Sequence, residues 1–195
     1  EHVKIRMLNA GHITLCFPAI LLGYENVDDA IEDRDLLGNL QNYLNKDVIP
    51  TLKAPPGMTL EGYRDSVISR FSNKAMSDQT LRIASDGCSK VQVFWTETVR
   101  RAIEGKRDLS RIAFGIASYL EMLRGRDEKG GTYESSEPTY GEAEKKLAKA
   151  DDFESALKLP AFDGWRDLDT SELDEKVIAL RKVIREKGVK AAIPA

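Results

Sequence analysis

The chain has 195 residues, enough for one well-cored domain. Its 29 Lys and Arg against 32 Asp and Glu leave a formal net charge of -3, which excludes the basic field of a nucleic-acid or anionic-membrane binder and leaves small molecules or protein as partners. Cys16 and Cys88 are too few for a disulfide framework and lack zinc-ligand spacing, and His2 brings no acidic or thiol cluster with it, so the composition points to a reducing compartment and no catalytic metal.

In chain order, Met7, Leu8, Ile13, Leu15, Phe17 and Ile20 to Leu22 make a first helix that is apolar on most faces, central to the core and stopped at Gly23. The apolar run from Ile13 to Leu22 contains Pro18 and is about half the length that a bilayer crossing needs, and no basic start or cleavage pattern marks a secretory signal. A soluble, cytoplasmic protein is expected. Asn26 is placed to cap a helix through Val27, Ala30 and Ile31, and an amphipathic run from Leu36 to Val48 ends before Pro50. Lys53 to Gly57 is a turn, Thr59 caps a helix through Tyr63, Val67, Ile68 and Phe71, and Ser77 or Asp78 opens a short helix through Leu81 and Ile83. Val91 to Trp95 is strand-like by itself, but Val99, Ala102 and Ile103 continue it with helical period. Ile112 to Met122 is a dense core helix.

Beyond residue 132 the chain turns polar. Glu134 to Pro138 reads as a surface loop and Tyr140 to Ala150 as a solvated, charged helix. Phe153, Leu157, Leu159, Phe162 and Trp165 are anchors for this tail, and Thr170 or Ser171 opens a last helix with its charged face toward solvent. There is no repeat, no long linker and no alternation of strand with helix. The expected fold is mainly α: one multi-helix domain over 1–195, with 132–195 a more polar helical tail docked on it. The lack of a heptad seam favours a monomer.

Three polar residues interrupt the apolar first helix: Lys4, Asn9 and His12. At about 100° per residue, His12 lies about 80° and Asn9 about 140° round from Lys4, so all three fit one broad arc. Burying such groups without partners costs a few kcal/mol each, so they either satisfy one another or line a cleft completed by substrate. Taken singly, each is more simply a snorkelling lysine, a turn-breaking asparagine and a satisfied core histidine. A second group follows in Arg70-Phe71-Ser72-Asn73, Asp78 and Arg82-Ile83-Ala84-Ser85-Asp86-Gly87-Cys88-Ser89-Lys90. Arg70 is read as a structural partner of Asp78 and Asn73 as a cap for the short helix. The cysteines read as small core hydrophobes.

Lysine, asparagine five residues later and histidine three further on, followed by these downstream motifs, resembles the polyol-specific long-chain dehydrogenases, a family of mannitol 2-dehydrogenases and related uronate oxidoreductases. The resemblance implies that the 195 residues form the C-terminal, substrate-binding half of such an enzyme. It implies Lys4 as the acid/base, Asn9 as a donor to the developing oxyanion and His12 as the group that positions the hydroxyl or Lys4. It also implies polyol contacts from Arg82 and Lys90, which eight residues of unbroken helix would set about 80° apart. An ordinary lysine is almost fully protonated near pH 7, so the role assigned to Lys4 requires burial and neighbouring positive charge. The family looks metal-independent.

No glycine-rich dinucleotide fingerprint follows a strand in this sequence. The resemblance therefore implies that NAD or NADP sits in an N-terminal Rossmann-like domain outside these residues, which open at Glu1 directly on the first motif and read as part of a longer protein. The leading expectation is interconversion of D-mannitol and D-fructose. Fructuronate or tagaturonate reduction is the runner-up, since uronate reductases resemble the same Arg82-Ile83-Ala84 and Asp86-Gly87-Cys88-Ser89-Lys90 pattern; a uronate carboxylate would demand a further fixed cation. Mannitol 1-phosphate oxidation ranks lower for want of a denser basic group. A non-catalytic helical interaction module is the alternative from another class.

Overall fold

In the computed structural model, which describes residues 1–195, the most apolar segment becomes the axis of the molecule. A π-helical turn, Lys4–Asn9, runs directly into α1 (Ala10–Leu21), where every residue except His12 is buried. Pro18 removes one backbone donor from α1. Thr14, a turn earlier, donates its hydroxyl to Ala10 O at 2.7 Å and accepts from Trp95 Nε1 at 3.3 Å. At the far end Gly23 takes φ +88°, and Tyr24 N–H returns to Ala19 O at 3.0 Å, closing the helix where the glycine predicts.

The chain then winds helices around this axis: α2 (Val27–Glu32), α3 (Arg34–Asn42) continued by a second π turn, Tyr43–Val48, then α4 (Leu60–Phe71), α5 (Thr80–Ala84), α6 (Gly87–Phe94), α7 (Thr96–Glu104) and α8 (Ser110–Met122). Of these α2, α3, α5, α6 and α8 pack on α1, while α4 covers the first π turn. Asp33 caps α3 and the Thr59 hydroxyl caps α4 by accepting from Gly62 N–H at 3.1 Å. Asn26 occupies the start of α2 without a capping bond. The helix expected across Val91 to Ile103 is two helices broken at Trp95.

The remaining chain contributes α9 (Glu142–Ala148), the 3-10 turns Ser155–Lys158 and Pro160–Trp165, α10 (Ser171–Lys187) and α11 (Val189–Ala192). Leu159, Ala161, Phe162 and Trp165 are buried against α6 and α7, and α10 lies along α8. Two sequence expectations change here. Tyr140 is not on a solvated helix but buried, its hydroxyl 2.8 Å from that of Tyr119. The charged side of α10 is not all solvated either: Arg181 is fully buried and, with Arg185, clasps the buried Glu121 of α8. Charge alone marks a face as solvent-bound only when no opposite charge waits inside.

One apolar cluster runs from Val3 to Ala192. Arg111 and Asp47, both buried, form a two-bond pair at 2.7 and 3.0 Å between α8 and the second π turn. The chain forms helices and no strand, and no helix is long and apolar enough to cross a membrane.

Candidate active site

Along residues 3–22 the only side chains not buried are Lys4, Ile5, Asn9 and His12. The π turn explains how the three polar ones share that strip. Ala10 N–H reaches back to Ile5 O, and the wider π turn brings positions five apart onto one face, so Lys4 and Asn9 share it. Three α-helical residues further on, His12 lies about 60° away, narrowing the arc of about 140° that straight α geometry gives. None of the hydrogen bonds or ion pairs of the chain uses the Lys4, Asn9 or His12 side chain, so all three are free to meet a ligand.

His12 stacks on Phe71 of α4, ring centroids 4.1 Å apart and planes 22° from parallel. Burial pushes its imidazole down to about 4; Asp78 opposes the shift, while Arg70, Arg82 and Lys90 reinforce it. Near pH 7 His12 is therefore neutral, with one ring nitrogen donating and the other accepting. Its cleft is lined by Arg70, Phe71, Asn73 and Asp78.

The structure brings Arg82 and Lys90 into electrostatic range of His12, but not by a continuous helix. The chain breaks between α5 and α6, with Asp86 in the left-handed region at φ +51°. Lys90 turns back across the break, and its Nζ donates to Ile83 O at 2.7 Å and meets Arg82 O at 3.5 Å. Burial lowers the Lys90 ammonium from its ordinary value. Arg82 is exposed and ion-paired to Asp78. Asp78 thus belongs to Arg82, one turn away, rather than to Arg70 as the sequence reading had it. Asn73 likewise caps no helix: its Oδ1 accepts from Ala75 N–H at 3.0 Å within the preceding turn, and Gln79 starts α5.

Lys4 is exposed in these residues, so the burial its assigned role requires is not supplied by them. Sequence reasoning missed Arg6. It is buried within the π turn, where Nε donates to Thr98 Oγ1 at 3.0 Å and the two terminal nitrogens to Thr51 O and Oγ1 at 3.0 and 2.6 Å. It braces the backbone that carries Lys4 and Asn9. Only its place on the buried side of the helix marked it. A wider cavity at the other end of α1 is lined by Leu21, Glu121, Arg124, Arg185 and Val189, but Glu121 already pairs both arginines.

This helical domain presents a lysine, an asparagine and an imidazole without hydrogen-bond partners beside a cationic turn, and the chain belongs to the family described as mannitol dehydrogenase C-terminal domain, which residues 1–182 match. A polyol:NADP oxidoreductase of Gluconobacter oxydans (strain 621H) is 95% identical over the whole chain, which covers 40% of that relative. Among solved structures, a D-sorbitol dehydrogenase in substrate-free form is 92% identical and superposes with a TM-score of 0.98 over 99% of this chain and 40% of its own. The Pseudomonas fluorescens mannitol 2-dehydrogenase, solved with NAD and D-mannitol, is 27% identical with a TM-score of 0.89 over 98% of this chain and 39% of its own. The chain thus spans about 40% of the length of the Gluconobacter relative and of the sorbitol dehydrogenase. Its elements are helices throughout, with no strand to begin the strand, glycine turn and helix that cradle a dinucleotide.

Proposed function

We propose that residues 1–195 are the substrate-binding and acid/base domain of an NAD(P)-dependent polyol dehydrogenase, acting on an acyclic hexitol such as D-mannitol, with D-fructose as product, or D-sorbitol. The observation that carries this is the strip of Lys4, Asn9 and His12, whose polar groups make no hydrogen bond or ion pair within these residues. Hydride acceptance is the chemistry a nicotinamide supplies, held by the nucleotide-binding part of the longer protein; the name of the Gluconobacter relative favours NADP.

The chain's own residues handle the alcohol. Lys4 Nζ, once covered by the rest of the protein, takes the hydroxyl proton. Asn9 Nδ2 donates to the oxygen as negative charge builds on it. Neutral His12 holds the hydroxyl in line by donating and accepting, and is not the principal base. Arg82 and Lys90 donate to the hydroxyls beyond the reacting carbon, and 132–195 is a supporting tail.

A uronate substrate is the second reading, and Arg70 is the observation that favours it, a cation in the His12 cleft that forms no ion pair. The test follows NAD(P)H absorbance in the full-length enzyme with D-mannitol, D-sorbitol, D-fructose, fructuronate, tagaturonate and mannitol 1-phosphate. Turnover of the hexitols and loss of it in Lys4→Ala, with folding and nucleotide binding kept, is the expected result. Near-normal turnover in Lys4→Ala sinks the assignment, and preference for a uronate replaces the substrate.

A further inference from the structure

The first turn of α6 carries Lys90 yet lacks a cap of its own. Asp86, the residue that precedes it, is left-handed, and its side chain is engaged with Ser89 Oγ at 2.8 Å and Thr139 Oγ1 at 3.4 Å. The unpaired donors of the turn are met from outside the helix. Glu137, in a loop 49 residues downstream of Cys88, accepts from Cys88 N–H at 3.0 Å, and Gly87 N–H also faces its carboxylate. The other carboxylate oxygen accepts from the Tyr119 hydroxyl at 3.0 Å, and Tyr119 in turn shares a 2.8 Å hydrogen bond with the buried Tyr140. Asp86 N–H donates to Ser136 O at 2.7 Å, stitching the same loop to the same turn.

The packing is equally specific. A Cβ on Gly87 would stand 2.6 Å from Glu137 Oε1 and 2.7 Å from Tyr119 Cε1, so only glycine lets the carboxylate approach. A bare surface loop needs no such fit. The turn held this way is the one from which Lys90 reaches back to Ile83 O.

We propose that Glu137, buttressed by Tyr119 and Tyr140, is a positioning residue for polyol binding: it caps α6 in place of Asp86 and so fixes where Lys90 points. The inference rests on the polyol reading above. Glutamine can replace the carboxylate here, because its oxygen accepts from Cys88 N–H while its NH2 donates to Tyr119 Oη.

In the full-length enzyme, Glu137→Ala is expected to raise the polyol KM about tenfold, the scale of one lost cap, and to leave the nucleotide KM unchanged. Glu137→Gln restores the polyol KM. In a Lys90→Ala background, Glu137→Ala should add nothing, because the group it positions is already gone. Hydrogen exchange at residues 87–91 is expected to quicken in Glu137→Ala and return in Glu137→Gln. A wild-type polyol KM in Glu137→Ala, losses that add to those of Lys90→Ala, or unchanged exchange at 87–91 overturns the proposal. If the wild-type enzyme turns over no polyol, the functional reading fails; the exchange data then decide the cap, which stands if exchange at 87–91 quickens and falls if it does not.

Discussion

Replacing His12 by phenylalanine keeps a ring against Phe71 and removes the His12 titration. In the native chain burial holds the His12 imidazole down at about 4, against 6.5 for an ordinary histidine. Between those values the unfolded chain binds a proton that the folded chain refuses, so stability rises with pH there and is lost as pH falls through 6.5 toward 4. The whole gap corresponds to about 3 kcal/mol, of which about 2 develops between pH 7 and pH 5, trimmed toward about 1 by the partial exposure of the ring. Urea unfolding followed by the fluorescence of the buried Trp95 and Trp165 reads this directly. Carboxyls raised by burial, such as those of Asp47 and Asp174, titrate alike in both proteins and cancel in the comparison. Wild type should therefore lose about 1–2 kcal/mol more than His12→Phe on acidification to pH 5. Parallel losses in the two proteins would refute a desolvated, neutral His12, and with it the argument that His12 positions the hydroxyl as a neutral ring.

Arg82→Ala and Lys90→Ala in the full-length enzyme should each raise the polyol KM and slow turnover; steady-state kinetics unchanged in both would return these side chains to simple surface roles. Asp47→Ala leaves the buried Arg111 guanidinium without its two-bond partner and should cost about 3–5 kcal/mol in urea unfolding, where a loss below 1 kcal/mol would show the pair to be solvated. Gly87→Ala drives a Cβ into Glu137 and Tyr119 and should destabilise by about 1–3 kcal/mol, measured as a fall in Tm, with the polyol KM rising alongside.

What the sequence carried plainly was periodicity. The apolar residues of α1, α4, α8 and α10 recur at helical spacing, and Gly23 and Thr59 carry their own stop and start chemistry, so these helices lie where pattern and caps place them. Pattern failed where a partner far along the chain decided the outcome. Asp78 is the opposite case, for the turn of α5 presents Arg82 to it four residues away, nearer than Arg70. Glu137 and Tyr140 read as surface because charge and hydroxyl suit solvent, yet Tyr119 and the open end of α6 offer better hydrogen bonds inside.

The candidate site was legible as residue identities but not as geometry. Lys4, Asn9 and His12 stand out because polar groups in an apolar helix need a reason, whereas their alignment depends on a π turn that propensity does not predict. That turn is held by Arg6, whose hydroxyl and carbonyl partners come from Thr51 and Thr98, 45 and 92 residues away. The helix widens into a π turn at the point where Lys4 and Asn9 leave the core, and the buried Arg6 braces it there. The apolar remainder of α1 is a rigid mount, which is why the same segment reads both as the core of the fold and as the floor of the candidate site.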